Sequence, residues 1–260
     1  MPLFDFMYSV PDWVIFIISV IEVAIICICA LGLMRLLRRI WPERHGANLI
    51  NTMLSGILLP TGMVIAFVAA DVWQTDAKGR NAVEQEAIAI SDTLRIARFF
   101  DSETREIVLA DINNYIRDVV ETEWPLMAQG QFSETAESLL EALDILSVRI
   151  EGESQEFSQR RAAQELRHYT REIEQARNQR LLVSHQHVSI TKWFTLLMLL
   201  FVSACVMIEL HLAHRRALYV SMGLFSLGFG AALFLISAYD GPFLGRGNIG
   251  PESLALMLLK

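Results

Sequence analysis

Apolar positions in this chain gather in blocks instead of alternating with polar ones. Four blocks, Trp13–Met34, Leu49–Val72, Trp193–Leu212 and Ala217–Tyr239, are each about 20 residues or longer and carry almost no charge. A helix of about 20 apolar residues crosses about 30 Å of hydrocarbon, so each block predicts a membrane span. A core helix of a water-soluble protein keeps a polar stripe, whereas "WVIFIISVIEVAIICICALGLM" is apolar all round apart from Glu22.

Between the second and third blocks the pattern changes. Asp71–Arg180 holds almost no apolar run longer than four and reads as helical throughout. Val83, Ala87, Ile90, Leu94 and Ala97 recur at three- and four-residue spacing, and Ile107, Ile112, Tyr115, Ile116 and Val119 follow the same rule. Ser102 is the expected cap of that second helix, and Pro125 is expected to end it at Trp124. A third helix starts at Ser133 and buries Leu139, Leu140, Leu143 and Leu146; a fourth carries the seam Leu166, Tyr169, Ile173, Ala176. With no glycine or proline from Glu153 to Trp193, that helix is expected to continue into the third span, and the second span to continue to Ala77. The predicted fold is all-α, with four transmembrane helices and an extramembrane helical stalk inserted between spans two and three. The expected divisions are residues 1–75 (spans one and two with a basic loop), 76–190 (the insert), 191–240 (spans three and four) and 241–260 (the tail).

Charge refines this picture. The chain of 260 residues is 53% hydrophobic with a net charge of −7, and the polar stretch sets 22 acidic residues against 13 basic ones, which argues against a nucleic-acid surface. The start "MPLFDFMYSVPD" has two aspartates and no basic residue, the reverse of a signal peptide. Cys27, Cys29 and Cys205 all fall in predicted spans and imply no disulfide framework. Arg35, Arg38, Arg39 and Arg44 of the first loop share a membrane side with Arg215 and Arg216; short basic loops mark the cytoplasmic side, which puts both termini and the insert outside. Lys78, Arg80, Arg177, Arg180 and Lys192 pull the other way.

Five stretches, "GMVIAFVAADVW", "AVEQEA", "YIRDVVETEWPLMAQG", "ARNQRL" and "DGPFLG", resemble the bestrophin-like family of four-span proteins, also catalogued as a domain of unknown function. The resemblance covers almost the whole chain after Leu49, with Glu123, Trp124, Pro125, Asp240, Pro242, Phe243 and Gly245 as its signature. Through remote similarity to bestrophins it implies a pentameric anion channel with its pore along the second span, in a bacterial inner membrane, and a cytoplasmic insert, opposite to the charge pattern.

The second span is compatible with a pore. Asn48, Thr52, Ser55, Leu59, Met63 and Phe67 follow one helical face, polar at one end and apolar at the other, with Pro60 beside Leu59. Polar groups in hydrocarbon turn to protein or water, and an apolar ring can gate by dewetting. Helix packing through Ser55, Gly56 and Gly62 explains the same residues. Glu22, at mid-span depth, is expected to be buried in protein, either as a proton or cation site or in an interhelical hydrogen bond; Glu209 lies beside His211 near the basic loop. His185 and His187 are two residues apart and point to different helix faces, so no metal site is expected. No catalytic constellation or cofactor motif is present, so no enzyme and no cofactor are expected. The glycines of "GPFLGRGNIG" lack the helix a phosphate loop needs, leaving a membrane exit at Asp240–Pro242 or an anion-attracting nest at Gly245–Gly250. Expected partners are lipid, further copies of the chain in a homo-oligomer, and inorganic anions. The alternative is a non-conducting sensor or scaffold whose acidic insert binds a partner protein.

Overall fold

A computed structural model describes residues 11–40, 47–127, 129–243 and 249–258, with side chains from residue 56 onward in the second segment. Every regular element among them is helical: α1 (Asp12–Ile40), α2 (Ala47–Ile96), α3 (Ser102–Asp118), α4 (Trp124–Met127), α5 (Glu134–Glu153), α6 (Phe157–Ser184), α7 (Ile190–His211), α8 (Arg215–Tyr239) and α9 (Glu252–Ala255). Four are long and apolar enough to cross a membrane: α1, α2 from Gly56, α7 and α8. The all-α, four-span architecture read from the sequence is the one observed.

The chain forms two compact units, Met1–Gln74 with His187–Asp240, and Thr75–Gln186 with Gly241–Lys260. The first has a core of Val23, Cys27, Ile65, Val68, Leu196, Leu200, Ala204, Leu233 and Ile236. α8 meets α1 at Gly230, where an added Cβ would come within 2.7 Å of Val20 Cα, and at Ser226, whose hydroxyl is 3.8 Å from Cys27 Sγ. Gly223, two turns earlier on α8, meets no described atom within 4 Å of an added Cβ, and neither do Gly56 and Gly62. Thr61 and Ser203 share a buried 2.9 Å hydrogen bond between α2 and α7, and Arg38 pairs with Glu209 at 3.0 Å.

The second unit is the helical insert and the tail. Ile90, Ile112, Tyr115, Ile116, Val119, Leu143, Leu166 and Ile173 form its fully buried centre. Ile107, assigned to the buried stripe from sequence, is 44% exposed. The tail contributes Ile249 and Leu254 to this core, with Met257 and Leu258 packed against it.

Three boundaries differ from expectation. α3 is capped by Asp101, not Ser102: its carboxylate accepts from Thr104 N–H at 3.1 Å, and a carboxylate one residue earlier reaches the free amides of the first turn as well as a hydroxyl does. The helix also survives Pro125, because Val119–Glu123 widens into a π-turn in which Trp124 N–H bonds to Val119 O. Pro has no N–H and collides with the carbonyl four residues back in a regular α-helix; a register shift just before it relieves both problems, and α4 runs on to Met127. Finally, α6 stops at Ser184 and α7 starts at Ile190, although no glycine or proline intervenes. Tertiary partners make this break: Val188 N–H donates to Asp240 Oδ1 at 2.6 Å, the His187 ring bonds the Asp240 carbonyl at 2.7 Å, and Ser189 caps α7.

Candidate functional site

Two places combine unusual chemistry with defined geometry. The first is one face of α2. Leu59, Met63 and Phe67, four residues apart, are 69%, 50% and 67% exposed, while Thr61, Ile65, Val68 and Val72 are buried against the other spans. The stripe predicted from sequence is therefore one continuous outward face in its described part. Asn48, Thr52 and Ser55 lie on the same helix, but their side chains fall outside the described residues. Glu22 departs from expectation: it is exposed on α1 instead of buried in the bundle.

The second place is a buried charge cluster in the insert. Glu86 on α2, Glu123 in the π-turn, and Arg177 and Arg180 on α6 have almost no solvent contact. Arg180 donates to Glu86 through Nε (2.7 Å) and Nη2 (3.0 Å), and Nη2 also reaches Glu123 Oε1 at 2.8 Å. Arg177 closes the chain, donating from Nη2 to Glu123 Oε2 at 2.6 Å and to the Ser133 carbonyl at 2.9 Å. Tyr115 gives its hydroxyl proton to Glu86 Oε1 at 2.7 Å, and Ser133 N–H donates to Glu123 Oε2 at 3.1 Å. Two anions thus meet two cations with all four carboxylate oxygens hydrogen-bonded, a condition that helps buried charge to be tolerated. Burial alone would raise Glu123, but the hydrogen bonds of Arg177 and the charge of Arg180 hold it below the usual carboxylate range. Burial, with the Glu86 charge behind it, pushes the Tyr115 phenol well above its ordinary value.

Aromatic groups extend the cluster. The Arg180 guanidinium lies 5.1 Å from the Trp124 ring centroid, and Trp124 meets Phe243 edge-on at 5.7 Å. Gly79 makes room there: a Cβ on it would come within 2.8 Å of Ile249 and 3.2 Å of Phe243. Pro242 accepts from Ile249 N–H at 2.9 Å, which turns the tail back. Asp240 serves the other unit as acceptor for Val188. Gly245 and most of the proposed glycine nest lie outside the described residues. His185 lies beside Gly130, and His187 is taken up by Asp240.

Sequence reasoning put Glu123, Trp124 and Phe243 in the family signature, but it counted Tyr115 only as a stripe position and Arg177 and Arg180 only as flanking charges, and gave Glu86 no role. The missed four stand in three of the stretches quoted for resemblance, "AVEQEA", "YIRDVVETEWPLMAQG" and "ARNQRL". Two arginines three residues apart on a helix share a face, and that was the available signal.

The bestrophin-like domain matches residues 23–254. The chain belongs to the bestrophin-like family. Solved structures with the same fold include a membrane protein variant (TM-score 0.66, 11% identity, 93% of this chain and 95% of that one). Two variants of a bacterial bestrophin homologue from Klebsiella pneumoniae also match, with TM-scores of 0.60 and 0.61, identities of 12% and 13%, and 94% of this chain and 96% of theirs covered. Comparison with curated proteins gives no match. This bestrophin-like protein is thus an integral membrane protein, and in it the half-buried Trp124 and Phe243 extend the buried cluster that holds Glu123.

Proposed function

We propose that this bestrophin-like protein assembles as a homo-oligomer, a pentamer on the bestrophin pattern, in a bacterial inner membrane and conducts inorganic anions through a passage lined by α2. The observation that carries the proposal is the stripe Leu59, Met63 and Phe67, left open along one face of α2 while the opposite face is packed. Apolar rings of this kind gate ion flow by dewetting, and the sequence places Asn48, Thr52 and Ser55 on the polar approach to it. Reconstitution in liposomes tests the proposal: anion flux from a well-folded oligomer supports it, and a silent oligomer overturns it.

A second function, a non-conducting scaffold, is favoured by a groove between α5 and α6 in which Glu137, Glu141, Asp144 and Glu174 outnumber Arg171 and Arg177, beside Phe132 and Leu181. Such a groove suits a basic amphipathic segment of a partner protein. A monomer or dimer by light scattering in detergent would favour this alternative.

A further inference from the structure

We propose that the side of α1 bearing Glu22 is covered in the membrane by a second copy of this chain. Glu22 stands ten residues into α1, about 15 Å along its axis at 1.5 Å per residue, the middle of a hydrocarbon layer about 30 Å thick. Its side chain is exposed, and among the described residues no hydrogen bond or ion pair reaches it. The described arginines and lysines of the same unit, Arg35, Arg38, Arg39, Lys192, Arg215 and Arg216, stand near the ends of α1, α7 and α8, away from that depth. An ionised carboxylate left against acyl chains costs at least about 2.5 kcal/mol, and ionisable side chains inside membranes face protein or water. Among the described residues nothing supplies either at Glu22.

The surroundings of Glu22 have the form of a helix contact. Ile18, Glu22, Ile25, Cys29, Gly32 and Leu36 are spaced 4-3-4-3-4, the seam on which two helices pack. All but the half-buried Ile18 are exposed. Gly32 has no described atom within 4 Å of an added Cβ, a close-approach position that the described residues leave unused. The other side of α1, with Ile15, Ser19, Val23, Cys27 and Ala30, is already buried against spans of its own chain. A lone polar residue in such a seam sets register and partner number at some cost in stability, which gives Glu22 a role that an isoleucine there would lack.

The inference rests on the proposed oligomer but not on conduction. Cys29, two turns from Glu22 on the same seam and exposed, is a built-in probe. The full-length protein with Cys205→Ala, in lipid vesicles, takes a nitroxide at Cys29 while Cys27 stays buried. The expected result is a dry and crowded label. Its collision rate with oxygen falls several-fold below that of a doxyl lipid at the same depth, and its rate with an aqueous nickel chelate is equally low. An oxygen rate equal to the lipid's, or a high nickel rate, overturns the contact. Glu22→Arg is expected to split the assembly in light scattering and Glu22→Gln to leave it whole; an unchanged assembly in Glu22→Arg overturns the contact too. If Glu22→Arg does not insert, the label beside the native Glu22 still decides. A dry Cys29 in a silent oligomer would remove conduction alone; a lipid-exposed Cys29 in a conducting one would remove this contact alone.

Discussion

Arg180 grips Glu86 across two elements far apart in sequence, Nε to Oε2 at 2.7 Å and Nη2 to Oε1 at 3.0 Å, with both side chains wholly out of solvent. Removing one partner leaves a net charge uncompensated in a dry core, although Arg180 keeps Glu123 and Glu86 keeps the Tyr115 hydroxyl, a loss of up to about 3–5 kcal/mol. Glu86→Ala and Arg180→Ala should therefore each lower the thermal unfolding temperature in detergent sharply. The pair Glu86→Leu with Arg180→Met should lose less than either single change, since no unpaired Glu86 or Arg180 charge remains at that contact. Additive losses would show that the pair is not coupled.

How far the sequence reaches is visible in this cluster. Periodicity located the insert's helices and most of their buried stripes, because side-chain burial follows the 3.6-residue repeat. It could not show that Glu86 and Arg180 meet, because which helix faces which is a tertiary matter. The break at His185–Ser189 was hidden for the same reason: its cause, Asp240, lies more than fifty residues away and not in any local breaker. Pro125 misled in the opposite direction, since a π-turn upstream absorbed its effect.

Asp240 makes stability depend on pH. Burial raises its carboxyl from 3.8 to about 6, against the opposing Val188 amide and the nearby His187 and Lys192. The fold therefore binds this proton more tightly than the unfolded chain does. The linked stability is fully present below about pH 4, declines as pH rises towards 6, and stays lost above it. The rise is worth up to about 3 kcal/mol. Asp240→Asn keeps an oxygen for Val188 N–H without the charge, so it should flatten the profile between pH 4 and 6 and gain stability at pH 8. Asp240→Ala removes the acceptor and should lose stability at every pH. An Asn variant with the original slope would locate the titration elsewhere.

Gly230 and Gly223 look equivalent in the sequence and should behave differently. A methyl at Gly230 meets the Val20 backbone at 2.7 Å, so Gly230→Ala must push α1 and α8 apart, at a cost of about 1–3 kcal/mol. Gly223→Ala meets no described atom and should fall within about 1 kcal/mol of the parent, with better helix propensity in its favour. Thermal unfolding of the two variants side by side checks this. Equal losses would mean that another copy of the chain occupies the space beside Gly223.

The outward stripe of α2 offers the most direct check on conduction. Leu59, Met63 and Phe67 are exposed, so polar substitutions there remove little packing within the chain and should leave unfolding temperatures nearly unchanged. If these side chains ring a passage, Phe67→Ser and Met63→Ser wet it, and anion flux into liposomes should rise several-fold. Ile65→Ser, two residues from Met63 but turned into the packed core, should lower stability without raising flux. A rise in flux with Ile65→Ser but not with Met63→Ser would put the water path on the other side of the helix.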